Sequence, residues 1–553
     1  MPYLEGDNRN QIMLLPHSIE EYVEANNPVR VIDAFVNAID LATLGFTKAI
    51  PASTGRPAYA PADLLKLYIY GYMNKIRSSR KLMIECHRNI EVFFLLRELK
   101  PDFRTIADFR KDNPDAIKGV FKEFVKFCAR MGLYHKNLIA IDGTKVRAQN
   151  AADRVYNKDI LNQKLARIDA HIEEYLTAIK ENDESNAVDE VVGAQCTKEE
   201  VDVALANLHA RKSKYEEYLK ELARSGRTQI LQTDSECHRM HTRNGFHCCY
   251  NIQTATDAGS HLICEYEVTD QTNDAGQLTN IALRARDILD ISELEVVADK
   301  GYDSRSDILN TMMQGILPNI ALKYDKIERL YNLNYESVNI TDEMKASRKP
   351  QDIETCLKAG VLPSCLEGGA LSIEVQRPAG VACFTRLDEK RILCPMGKIL
   401  TRKRIRDGRH SIFASRQACR TCDNRCTSSA AAKEVSFVDG AKYVPVKMYG
   451  EQKATNTLPP NAVIHHNSRS LNRKEVPGKV VLRLRCDKEK LHRRMCTVEH
   501  PFGSIKWYGD AGYVLCRGKR KVTAEIGLSF LAYNMKRAIK MAGVEALITA
   551  LGE

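Results

Sequence analysis

The chain has 553 residues, several times the roughly 150 of a typical domain, so about three or four folded units are expected. Hydrophobic residues make up 44% and charged residues 28%, which excludes a wholly disordered or fibrous chain, and no stretch approaches the roughly 18 uncharged apolar residues of a membrane-spanning helix. The net charge is +11, and the opening Met1–Asp7 lacks the basic-then-apolar layout of a signal peptide, so the 17 cysteines are expected to be reduced thiols in a cytoplasmic protein with no membrane partner.

Residues 18–133 read as mostly helical. Pro61 sits at a helix start with Asp63 in its first turn, and apolar runs follow at Ile90–Leu99 and Val120–Met131. The basic residues Lys75, Arg77, Arg80 and Lys81 between them suit either a helix-turn-helix-like DNA reader or a plain helical bundle. Next, Leu138–Ile141 form a short apolar run ending at Asp142-Gly, which predicts a buried strand with a carboxylate at its tip. Leu161, Leu165, Ile168, Ile172, Tyr175 and Ile179 then recur in alternating steps of four and three. Val201, Leu205, Leu208, Tyr215, Leu219 and Leu222 resume the pattern after an acidic gap. This predicts a helical hairpin over 155–225, structural or dimerising in role.

Strand patterns return at Gly245–Ala255 and His261–Val268, a helix is expected over Asp274–Leu289, and Leu294–Ala298 is a second apolar strand ending in an acid, Asp299. That order predicts a mixed α/β sheet with carboxylates gathered at strand ends. If the two strands are parallel neighbours, Asp142 and Asp299 meet. Two such carboxylates repel, and Mg²⁺ or Mn²⁺ is the natural neutraliser. Glu499 is the candidate third acid. Lys506 follows it by seven residues, two helical turns, and so shares its face on a helix.

Positive charge is concentrated. Residues 394–426 hold nine basic and two acidic residues, and residues 467–521 hold fifteen basic and five acidic, so the rest of the chain is net acidic. Clustered charge of this kind suits a phosphate-backbone footprint, with solvated basic faces as the other reading. Arg493, Arg494, Arg517, Lys519, Arg520 and Lys521 are the expected backbone contacts. Within the first tract, Cys394, Cys419, Cys422 and Cys426 have gaps suited to tetrahedral thiolate coordination of Zn²⁺; free reduced thiols and an iron–sulfur cluster are the alternatives. The His465-His466 pair has no supporting ligands and is given no role.

Periodicity alone does not select the three acids, but their surroundings do. Ala140-Ile-Asp142-Gly-Thr, Ala298-Asp299-Lys-Gly-Tyr-Asp and Val498-Glu499-His-Pro-Phe-Gly-Ser-Ile-Lys506 resemble the acidic signatures of DDE-type insertion-sequence transposases. Gly55-Arg-Pro-Ala-Tyr and Phe103-Arg-Thr-Ile-Ala-Asp-Phe-Arg110 resemble that family's N-terminal domain, and His241-Thr-Arg-Asn-Gly-Phe and Ala532-Tyr-Asn-Met-Lys-Arg also match. The resemblance implies a ribonuclease-H-like fold and a two-metal site in which Asp142, Asp299 and Glu499 are the metal ligands and catalytic acids, with Lys506 on DNA near the cut. It also implies a bacterial enzyme that cuts and rejoins double-stranded DNA at element ends, expected as a homodimer on DNA. The family places a Tyr and an Arg before the last acid; Leu491 stands at the Tyr position if Arg494 is the Arg, and Arg493 and Arg494 both remain candidates for the phosphate contact.

The expected architecture is therefore an N-terminal helical, DNA-binding domain (1–135) and a ribonuclease-H-like mixed-sheet core (136–345) with the helical hairpin. A basic, Cys-rich insertion (346–490) and a C-terminal helical part of the core (491–553) follow. A nuclease without strand transfer, and a zinc-dependent DNA-binding protein derived from a transposase, are the competing functional readings.

Overall fold

The structure is a computed structural model. It describes residues 18–51, 53–54, 57–136, 138–151, 154–185, 198–226, 229–336, 338–368, 370–376, 382–406, 408, 410–422, 426–427, 432–446, 448, 454–459 and 479–552. Gly55, His465, His466 and the start of the second basic tract lie outside these residues.

Six helices come first: α1 (Pro28–Ala38), α2 (Pro61–Met73), α3 (Ser79–Arg88), α4 (Ile90–Leu96), α5 (Phe103–Asp112) and α6 (Pro114–Arg130). Proline opens α1, α2 and α6, where its missing N–H is no loss. Helix α2 is buried along almost its whole length, from Leu64 to Met73. Strand β1 (Ile139–Arg147) follows, then the short β2 (Val155–Tyr156), the long helices α7 (Lys158–Ser185) and α8 (Lys198–Ser225), and β3 (Ile230–Leu231), which pairs with β2. The hairpin is present where expected. Its base is well packed, with Tyr156, Leu161 and Leu222 buried among Tyr215, Tyr218 and Leu219. Farther out the seam opens, leaving Tyr175, Leu176 and Val203 exposed.

The six-stranded central sheet includes β1 together with β4 (His238–Thr242), β5 (Gly245–Asp257), β6 (Ile263–Thr269) and β7 (Leu294–Ala298), with α9 (Leu278–Leu289) between β6 and β7 in the chain. Strand β5 pairs antiparallel with β1 along one edge and with β4 and then β6 along the other, while β1 pairs parallel with β7. Asp142 does not end its strand: β1 continues to Arg147 because the ladder with β5 runs on from Asp142↔Thr254 to Arg147↔Cys249. Only the parallel ladder stops short, at Ala140↔Val297.

Residues 305–488, with 292–295, form a second compact unit. It contains α10 (Arg305–Met313), β8 (Ile316–Ile320), β9 (Glu328–Asn334), α11 (Asp342–Ala346), α12 (Pro350–Lys358) and β10 (Leu371–Gln376). A meander follows, of β11 (Cys383–Arg386), β12 (Arg391–Leu393), β13 (Ile399–Arg406) and β14 (His410–Ala414), then α13 (Arg416–Arg420), β15 (Val435–Val438), β16 (Tyr443–Pro445) and β17 (Lys479–Arg485). Strands β11–β16 make one sheet in the order β15-β14-β13-β12-β11-β16, closed over a small core of Phe384, Ile392, Leu400, Phe413, Val435 and Phe437. Strand β17 pairs between β10 and β9. This unit opens at Arg305, ahead of the expected boundary at 346.

The chain then enters α14 (Lys488–Gly503), a π-helical turn (Ser504–Tyr508), α15 (Lys519–Ala542) and α16 (Val544–Gly552). Helix α15 packs against α2, α6 and β6, so the N-terminal helices share one compact unit with the sheet instead of standing apart. The join is partly ionic: Arg77 donates to Glu525 at 2.6 Å, with the two side chains 4% and 0% exposed. Arg77 is thus committed inside the protein and is not a DNA contact, contrary to the helix-turn-helix reading of its segment.

Candidate active site

The parallel ladder pairs Ile139 with Val296 and Ala140 with Val297 and ends there, two residues before Asp142 on one side and Asp299 on the other. Asp299 turns out of β7 as the cap of a 3₁₀ turn, its carboxylate accepting from the Gly301 amide at 2.8 Å. Asp142 accepts from the Gly143 amide at 2.9 Å.

Helix α14 supplies the third acid. Val498 is buried against Leu138, Ala140 and Val297, with Leu491 and Phe502 packed on the same cluster. That apolar stripe, spaced seven and four residues apart, docks the helix on the β1–β7 pair and places the adjacent Glu499 toward the strand ends. Arg494, one turn before Val498, is half-buried and comes within 3.7 Å of Asp142, whereas Arg493 is exposed. Arg494 thus lies on the Asp142 side of the helix, and Leu491 at the expected Tyr position packs, partly buried, on that cluster. The single α-helical face expected for Glu499 and Lys506 is interrupted, because α14 ends at Gly503 and Lys506 sits in the π-turn. Its ammonium still reaches inward and donates to the Lys145 carbonyl at 3.1 Å.

Asp142, Asp299, Glu499, Arg494 and Lys506 all line one cleft of about 1120 Å³, together with Lys145, Arg147, Arg243, Trp507 and Tyr513. Burial pushes the Asp142 carboxyl up to about 7; Arg494 and the Gly143 amide pull it down, while Asp299 and Asp274 push it further up. Burial likewise depresses Lys506, with Arg243 adding to the effect.

Asp274 is the residue that sequence reasoning missed. It lies before α9, not in it, and its carboxylate accepts from Asn251 at 2.8 Å and Gln253 at 2.7 Å. A Cβ on Gly143 would stand 2.3 Å from an Asp274 oxygen, and one on Gly301 would stand 2.9 Å from Asp299 and 3.2 Å from Asp274. The glycines after Asp142 and near Asp299 are thus the space this fourth acid occupies. No periodic signal marks it; the paired glycines are the available hint.

The acids offer an oxygen-only donor set with an excess of negative charge around Asp142, which suits a hard divalent cation. Among the described residues, however, no three His, Cys, Asp or Glu side chains are grouped tightly enough to hold a metal ion. Arg517, Arg520 and Lys521 line a separate groove of about 490 Å³ with Lys111, Asp112 and Glu236. There Arg520 is paired with Asp115, and the Lys519 amide donates to Glu236 at 2.5 Å. In the second unit, Cys394, Cys419, Cys422 and Cys426 line one small cavity.

Comparison with known proteins agrees with this arrangement. Residues 17–112 match the family described as "Transposase domain (DUF772)", and residues 225–535, more than half of the chain, match "Transposase DDE domain". Asp142 and the hairpin fall between the two matches. No curated protein matches the chain. A solved structure, a piggyBac transposase synaptic complex with hairpin DNA, aligns over 95% of this chain and 79% of that one at 9% identity, with a TM-score of 0.27, too low to carry an argument. No helix among the described residues is long and apolar enough to cross a membrane. With the helical N-terminal segment matched by the first description and a DDE-domain match over more than half of the chain, this chain belongs to the DDE-type insertion-sequence transposases.

Proposed function

We propose that the protein cuts DNA at the ends of a bacterial insertion sequence and transfers the strands, using Asp142, Asp299 and Glu499 as its catalytic acids. The observation that carries this reading is that Asp142 and Asp299, each two residues beyond the last pair of the β1–β7 parallel ladder, line one cleft with Glu499. The strand order β6-β5-β1-β7, antiparallel up to β1 and parallel after it, supports a ribonuclease-H-like core. Drawn closer than they stand here, the three acids would hold Mg²⁺ or Mn²⁺, which when bound supplies Lewis-acid activation of the attacking oxygen and charge stabilisation of the leaving one. Asp274, bonded to Asn251 and Gln253, crowds Asp142 with negative charge, and Arg494 offsets part of it. Lys145, Arg147, Arg243 and Lys506 surround these acids with cations that suit a DNA backbone. Trp507, 85% exposed on the cleft wall, offers a face for an unpaired base. Arg493, Arg517, Lys519, Arg520 and Lys521 lie outside this cleft and would serve as outlying backbone contacts; a homodimer on DNA completes the proposal.

The test uses a plasmid carrying the DNA that flanks this gene at both ends. The wild type should nick it in Mg²⁺, and Asp142→Asn should reduce nicking by roughly 10³-fold or more, the scale of several kcal/mol lost from transition-state stabilisation. DNA binding, followed by fluorescence of the single tryptophan, should persist in the variant. Undiminished cleavage by Asp142→Asn would remove the proposed site. Binding without any cleavage by the wild type would favour the derived DNA-binding protein.

A further inference from the structure

The second unit carries a feature the cleft does not need. Cys394, Cys419, Cys422 and Cys426 surround a cavity of about 20 Å³ walled by Phe384, Pro395, Met396, Leu400 and Ala418. A void of that size admits about one water-sized body. None of the four is in a disulfide.

The turn around Cys394 is shaped to present its sulfur. The Gly397 amide closes the turn on the Cys394 carbonyl at 3.0 Å, and the Lys398 amide then donates to Cys394 Sγ at 3.2 Å. This path puts Gly397 at φ +73°, where a side chain would be strained. Burial pushes the Cys394 thiol up, and the Lys398 and Met396 amides work against it. The Lys398 side chain meanwhile bonds the Thr421 carbonyl and, at 2.9 Å, the Thr421 hydroxyl. One residue therefore ties the Cys394 turn to the segment bearing Cys419 and Cys422. Cys426 packs from its own side against the same core.

We propose that these four cysteines form a structural Zn²⁺ site that staples the β11–β16 sheet. Zinc bound by four cysteines is tetrahedral, with sulfurs about 2.3 Å from the metal, and each thiol releases its proton to solvent on coordination. The sulfurs line the cavity without closing on a common centre, so loading the metal draws them inward. The core beneath them is small, and a metal staple is the usual supplement to such a core. Lys433 on the cavity wall and the surrounding basic tract offset the charge of four thiolates.

The full-length protein, purified without chelator, should contain one zinc per chain by elemental analysis. Replacing zinc with Co²⁺ should give the intense thiolate charge-transfer and tetrahedral visible bands of a sulfur-ligated ion. Cys419→Ser with Cys422→Ser should lower zinc to near zero. Cys496→Ser, at an exposed cysteine outside the cluster, and Asp142→Asn should both retain it. Wild-type protein with no metal and all four thiols freely titratable would overturn the proposal, whatever happens to the variants. So would zinc that persists in the double variant or leaves with Asp142→Asn, or a visible iron–sulfur spectrum in its place.

Discussion

The acid cleft and the cysteine cavity both gather like-charged ligand atoms, but they work over opposite ranges of the chain. The cleft draws Asp142, Asp299 and Glu499 from positions 157 and 200 residues apart, and their meeting depends on a strand ladder and on the seating of Val498. The cysteine cavity takes its four ligands from 33 residues and depends on two turns tied by Lys398. A site assembled over long range is only as secure as the packing of the whole unit, whereas a site assembled from turns is vulnerable to local backbone geometry.

That contrast is broken most sharply far from either set of ligands. Arg77→Met would remove one of the two arginines that offset the buried Glu525 charge and should destabilise the first unit by roughly 3–5 kcal/mol. Urea unfolding monitored in that unit would read it. Zinc content should not change, because no cysteine ligand lies there; zinc loss in this variant would mean that the two sites are not independent. The same residue gives a pH dependence. Burial alone would raise the Glu525 carboxyl, but Arg110, Arg77 and the Leu515 amide hold it below its ordinary value. A depressed carboxyl contributes stability above its unfolded value of about 4.3 and loses it as pH falls through the folded value. Wild-type stability should therefore fall below about pH 4, and Glu525→Gln should lack that component.

A smaller effect sharpens the cleft side alone. Trp507→Ala should weaken binding of DNA with unpaired ends by about 1–3 kcal/mol, measured by anisotropy of a labelled strand, with fully paired duplex affected less. Equal losses on both would make Trp507 a backbone contact instead of a stacking face. Smallest of all, Gly397→Ala should cost roughly 1–2 kcal/mol through its left-handed backbone and lower zinc affinity by about tenfold against a competing chelator. DNA nicking should be unchanged.

The same contrast explains what could be read in advance. Asp142 and Asp299 were legible because each follows a short apolar run, and strands of that kind are buried neighbours. The four cysteines were legible because their ligand spacing is local. That Arg494 and not Arg493 approaches Asp142 was not, since this depends on which face of α14 Val498 buries. Asp274 was invisible because it acts from a loop through side-chain bonds to Asn251 and Gln253. Arg77 read as a surface cation because a buried guanidinium is recognised only by its partner, and Glu525 is 448 residues away. The continuation of β1 past Asp142-Gly was masked by a glycine that reads as a turn but makes room for Asp274.

Two separate family descriptions match this chain, one over residues 17–112 and one over residues 225–535. Arg77 belongs to the first and Glu525 to the second, and their bond is fully enclosed. Glu525 also accepts from the Leu515 and Cys516 amides, just after Tyr513 on the cleft wall, while Arg77 donates to the Tyr513 carbonyl at 2.6 Å. The two modules are thus not interchangeable parts. A recombinant that took its N-terminal helices from a relative without a matching arginine would leave this buried acid to the Leu515 and Cys516 amides beneath its own cleft wall, so the two segments should descend together, as a single hereditary unit.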